Sequence, residues 1–113
     1  MNMRANHTIC SAYVDDMAAF GQSVELDMEK PIHASTDMGN VSHVVPSFQG
    51  AFIICREKGV AIHHPRFTVS SGTDEAHAAA LNCAHGMAML AVRALVDDDF
   101  SERAWHDFRQ PDE

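Results

Sequence analysis

An α/β fold, with short strands packed on one long helix, is predicted by three observations. Val41–Val45, Ala51–Cys55 and Val60–Ile62 are short apolar runs, the first of them strongly β-branched, and they read as buried or half-buried strands. Ala76, Ala80, Cys83, Met87, Leu90 and Ala94 recur at steps of three or four and read as one face of a long helix. The order helix, strands, long helix, short helix suits one edge of an α/β sandwich. Three short strands and one long helix would leave a sheet edge open and a face uncovered. The 113 residues are therefore expected to form a single partial domain.

The first helix is expected over Asn6–Gly21. Asn6 or Thr8 can cap it, because a side-chain oxygen there accepts an unpaired N–H. Ile9, Tyr13, Met17 and Phe20 fall on one apolar face, and Gly21 ends the helix by taking the left-handed conformation cheaply. Ser23–Ala34 is irregular and polar, with Pro31 excluding a helix. Pro46 ends the first strand, and Arg56–Gly59 is a polar turn. Ser71–Asp74 carries start signals for the long helix, with Ser71 and Asp74 at capping-box spacing. Gly86 within that helix costs about 1 kcal/mol relative to Ala, which close approach to a neighbour would explain. Phe100–Phe108 is a short last helix, capped by Ser101 or Asp99, with Trp105 and Phe108 placed to clamp it.

Sixteen acids against eight Lys and Arg give a formal net charge of −8. That argues against nucleic acid and anionic membranes, both of which need cationic surface. The acids of Asp97–Asp99 and of the Gln110–Glu113 tail are expected to be solvated. The N-terminal residues lack the apolar core of a signal peptide, and no apolar stretch is expected to reach the roughly 18 residues of a membrane span. Cys10, Cys55 and Cys83 are odd in number and form no CxxC pair, so they read as reduced, buried thiols of a cytoplasmic protein.

Eight histidines are many for this length. His7, His33, His77, His85 and His106 read as surface or hydrogen-bonded core residues. Two stretches carry more. One is Ala34-Ser35-Thr36-Asp37-Met38-Gly39-Asn40-Val41-Ser42-His43-Val44-Val45-Pro46. The other, about 17 residues later, is His63-His64-Pro65-Arg66-Phe67-Thr68, followed by Gly72–His77 and the Ala-rich helix.

This ordered set resembles the C-terminal part of the zinc-dependent amidohydrolases and dipeptidases of peptidase family M-twenty. The likeness is greatest to the aminoacylase-like dipeptidase subgroup, and it runs from about Asn6 to the end. The Ser35–Pro46 block is specific, the His63 match less so, and the helix match is weak alone. The resemblance implies that His63 is a zinc ligand, four residues before the aromatic Phe67; His64 is the weaker choice. It implies that Ser35, Thr36 and Asp37 belong to a loop that holds the substrate beside the metal. Two hydroxyls and the N–H groups around Gly39 and Asn40 suit a carboxylate, with Gly39 permitting unusual backbone angles. Asp37 either orients a ligand or, the favoured role, fixes the loop through its own backbone.

Ser47-Phe48-Gln49-Gly50 departs from the family's pattern after Val-Val-Pro, and Arg56-Glu57-Lys58 lengthens the loop before His63. The family also needs a His-x-Asp pair, an adjacent Glu pair that supplies the general base, and an inserted lid domain that dimerises. None occurs in these residues. A catalytic zinc takes about three protein ligands, and one can be named. The expectation is a fragment of a metal-dependent hydrolase of dipeptides or N-acyl amino acids, inactive alone. The alternative is a non-enzymatic module that forms a homo-oligomer or pairs with another polypeptide. A small metal-binding protein using His33, Asp37, His43, His63 and His64 fits no compact ligand motif.

Overall fold

The computed structural model describes residues 2–26 and 36–110. Among these residues there are five helices: α1 (His7–Ala19), α2 (Met38–Val41), α3 (Phe67–Ser71), α4 (Asp74–Val96) and α5 (Asp98–Arg109). Among the described residues there is no strand. The α/β sandwich is therefore overturned, and the fold is helical.

The reason is visible at each expected strand. Val41 closes α2, and the N–H groups of Val44 and Val45 both donate to its carbonyl, at 2.9 and 3.1 Å, so the valines form a turn. Among the described residues Ala51–Cys55 and Ala61–Ile62 have no partner segment for a ladder. A β-branched run reports fit to a pleated surface rather than an intrinsic backbone preference. Without that surface the run stays irregular. Pro31 and the polar segment before Ser35 lie largely outside the described residues.

The chain divides into two compact units, Met1–Gln49 with Gly86–Glu113, and Gly50–His85. In the first, Tyr13, Met17, Leu90 and Phe100 form the core, with Ile9, Ala12, Val24 and Phe48 packed against it. Helix α1 begins at Asn6, whose Oδ1 accepts from the Ile9 N–H at 3.1 Å, and it is followed by Gly21 at φ +73°. Both ends match the sequence expectation. Phe20, expected on the apolar face, is exposed. A Cβ built on Gly86 would lie 2.5 Å from Met17 Sδ and 2.6 Å from the Tyr13 ring. The glycine lets α1 and this half of α4 approach closely, as its position in a helix suggested.

Helix α5 is capped by Asp97, two residues before the nearer expected cap. Its side chain accepts from the Phe100 N–H at 2.9 Å, and Asp98 and Asp99 occupy the first turn, where the helix dipole favours them. The acidic run thus serves the helix start as well as solvent. Phe100 and Ala104, not Trp105, anchor the helix; Trp105 is exposed and meets Phe108 edge-on at 5.5 Å.

In the second unit Val60 and Ala76 are the buried apolar residues. Helix α4 starts with Thr73, whose Oγ1 accepts from the Ala76 N–H at 3.1 Å; Ser71, expected in a capping box, ends α3 instead. Cys55 is exposed and Cys10 and Cys83 are half-buried, so the expected burial of the thiols does not hold for Cys55. The expectation about membrane-length segments is also corrected. An 18-residue window of α4 has a mean hydropathy of 1.4, long and apolar enough for a span by that measure alone. Asn82, His85 and Arg93 lie within the helix, and such groups are costly in hydrocarbon.

Candidate functional site

Ser35 lies outside the described residues; Thr36, Asp37, Gly39 and Asn40 form the tight turn that opens α2. Thr36 Oγ1 accepts from the Met38 N–H at 3.3 Å. The Gly39 N–H donates to the Thr36 carbonyl at 3.1 Å, and the Asn40 N–H to the Asp37 carbonyl at 3.0 Å. Gly39 is buried in helical backbone and is not among the glycines with positive φ. The unusual angles expected of it are not used. The N–H groups expected to face a carboxylate are engaged within the turn itself.

Asp37 sits at the α2 start, yet its side chain makes no capping hydrogen bond. Thr36 is the residue that ties its side chain back to the loop. The Asp37 carboxylate is exposed.

Ser42, which nothing in its sequence context marks as functional, organises this block. It is fully buried; its Oγ donates to the Gly39 carbonyl at 2.9 Å and accepts from the Arg4 N–H at 3.0 Å. His43 Nε2 lies 3.0 Å from the Asn2 carbonyl, and the Asn6 N–H donates to the Ser47 carbonyl at 2.8 Å. Residues 2–6 therefore strap the 42–47 segment by three bonds. Asn6 Nδ2 continues the network to the Ala104 carbonyl at 2.8 Å, and Asp107 Oδ2 accepts from the Thr8 N–H at 2.9 Å. The only advance signal for Ser42 was a small hydroxyl residue inside an apolar run.

His63 lies in the other unit, in a turn just before α3, and it is exposed. His64 Nδ1 accepts from the Arg66 N–H at 3.1 Å. That bond leaves the neutral ring with its proton on Nε2, so the remaining nitrogen is a donor rather than a ligand. Among the described residues the His63 ring has no hydrogen-bond partner. Arg66 pairs with Glu57 at 2.7 Å, and both side chains are largely solvated, so this pair contributes little to stability.

The described residues do not by themselves make up a zinc site. Among the described residues no three His, Cys, Asp or Glu side chains come together as donors. A structural zinc needs four ligands and a catalytic one about three. No step of chemistry is therefore assigned to a metal held by this chain.

No family model matches the sequence, and no solved structure matches it. Among curated proteins it is 30% identical over 112 residues to the Xaa-Arg dipeptidase of Mus musculus, a match that covers 96% of this chain and 25% of that protein. The chain thus spans about a quarter of the length of the relative it matches. The relationship is a distant, dipeptidase-like one.

Proposed function

We propose that these residues are part of a metal-dependent amidohydrolase that cleaves the amide bond of a dipeptide or N-acyl amino acid. The single observation that carries this reading is the match to a dipeptidase along nearly the whole chain. In it, the Ser35–Asn40 loop faces the substrate. His63 contributes one ligand to a zinc whose other ligands, and whose general base, come from residues outside this sequence. The isolated chain has no turnover. The Asp37 carboxylate is exposed and uses no hydrogen bond to cap α2. It is the group best suited to a cationic substrate side chain such as arginine, and the −8 net charge favours approach of such a substrate. Because the Gly39 and Asn40 N–H groups bond within the turn, this reading assigns carboxylate recognition to the loop's hydroxyls.

The test is a chimera in which this chain replaces the matching quarter of the mouse dipeptidase. Expected are zinc-dependent dipeptide hydrolysis by the chimera and a loss of at least about a hundredfold in kcat/KM on His63→Ala, more than disturbance of a ligand's support alone would cause. An active chimera indifferent to His63→Ala would remove the ligand assignment. Enzyme-like turnover by the isolated chain would remove the reading as a part.

A further inference from the structure

Residues 2–6 meet the segment 42–47 at three points, and the three are not alike. The contact of His43 with the Asn2 carbonyl is exposed, so water competes for it. Asn6 is already fixed as the cap of α1 and by its bond to the Ala104 carbonyl. Arg4 is different, because its two ends reach two different elements. Its N–H donates to Ser42 Oγ at 3.0 Å, and that hydroxyl gives its own proton to the Gly39 carbonyl at 2.9 Å. Its guanidinium lies over the Phe108 ring, 5.1 Å from the centroid, and donates to the Gln110 carbonyl. Gln110 is the C-cap of α5, so its carbonyl sits at the negative end of the helix, where a cation is favoured. A ring face adds to that attraction. Phe108 is itself set edge-on against Trp105, which steadies the platform under Arg4. All of these residues belong to one compact unit.

We propose that Arg4 is a positioning residue for the Thr36–Asn40 loop. Its side chain, anchored on the end of α5, holds its own N–H against Ser42, and through Ser42 it fixes Gly39. Ser42 Oγ is fully buried, so no water replaces the Arg4 N–H when that bond opens. Freeing the guanidinium therefore lets the backbone at Arg4 withdraw and loosens the Gly39 carbonyl. The Gly39 N–H is bonded to the Thr36 carbonyl, so the disturbance passes into the rest of the turn. A loop that is less ordered beforehand must be ordered when substrate binds, and that weakens binding. The substrate role of the loop rests on the hydrolase reading; the connection from α5 to Gly39 does not.

The test is amide hydrogen exchange of the full chain, read residue by residue by NMR. Arg4→Met keeps the length of the side chain and removes its charge. It is expected to speed exchange at Gly39, Asn40 and Ser42 at least about tenfold, with Tyr13 and Met17 in the core unchanged, because the opening is local. Arg4→Lys keeps a cation over the ring and is expected to stay within about threefold of the native chain. Phe108→Leu removes the ring under Arg4 and is expected to reproduce the pattern of Arg4→Met. The double substitution should add less than about twofold, since residues on one connection do not act additively. Independent, additive effects overturn the proposal. So do unchanged rates at the three loop amides, or an increase spread evenly over the core. In the chimera with the mouse dipeptidase, Arg4→Met is expected to raise KM at least about tenfold and to leave kcat within about threefold, the mark of lost binding. A fall in kcat with KM unchanged overturns the positioning role. An inactive chimera removes the hydrolase reading, and the exchange pattern still decides the connection.

Discussion

The helical unit that includes α1 and α5 and the segment Gly50–His85 solve the same problem unequally. In the first, backbone ends meet dedicated side chains: Asn6 and Asp107 take the N–H groups of Ile9 and Thr8, and Asp97 takes that of Phe100. Four large side chains make a core. In the second, Phe52, Ile53, Ile62 and Val69 are exposed, and burial rests on Val60 and Ala76. The lesson is that apolar content alone does not make a core. Side chains bury one another only where local caps and close approaches fix the elements first. Stability should therefore concentrate in the first unit, and substitutions should rank accordingly.

The largest expected effect is at the Asp16–Arg93 pair, which joins α1 to α4. Arg93 Nη2 bonds Asp16 Oδ1, while Asp16 Oδ2 and Arg93 Nε are buried without a hydrogen-bond partner. Arg93→Met leaves the buried carboxylate without its cation and is expected to cost about 3 kcal/mol in urea unfolding. Arg93→Met combined with Asp16→Leu should recover most of that loss, because a buried pair replaced by apolar groups is nearly neutral. Failure of the double substitution to recover stability would mean the pair does more than satisfy itself. Next is Asn6→Ala, which removes both the α1 cap and the bond to Ala104, at about 2–3 kcal/mol. Asn6→Asp keeps the acceptor and loses the donor, so it should fall between.

The sequence made α1, its cap and its glycine stop legible, because capping and helical spacing are local signals. The long helix and the close approach at Gly86 were legible for the same reason. The strands were not. Val41–Val45 has strand composition, but a strand is defined by its neighbour, and that information is not local. The Asp97 cap was masked by two further aspartates that could take the role equally on sequence grounds. At the candidate site, residue types were legible and their engagement was not. Thr36, Gly39 and Asn40 have the chemistry to hold an anion, yet hydrogen bonds inside the turn occupy their neighbourhood. His63 and His64 look alike in sequence, and only the Arg66 N–H separates them.

Gly86→Ala sharpens the same contrast at a smaller magnitude. The new methyl meets Met17 Sδ and the Tyr13 ring well inside contact distance. Overpacking costs typically 1–3 kcal/mol, and alanine returns about 1 kcal/mol of helix propensity. The net is a loss of about 1 kcal/mol, since the Met17 side chain can move where the Tyr13 ring, packed on Phe48 at 5.1 Å, cannot. Gly86→Ala in a Met17→Ala background should therefore be less harmful than in the native chain, read from the denaturation midpoint of each variant.

The smallest effect belongs to Ile53→Ser in the other unit. Ile53 is 94% exposed, so its side chain has almost no burial to lose. A substitution of that kind stays within about 0.5 kcal/mol. Removing a large apolar group from solvent contact should at the same time raise the concentration at which the chain begins to aggregate. The pairing of these two readouts is what tests the comparison. A cost above about 1 kcal/mol would show that Ile53 is buried in solution, and that Gly50–His85 possesses a core of its own. Unchanged stability with improved solubility would show that the segment's apolar residues contribute to association rather than to folding.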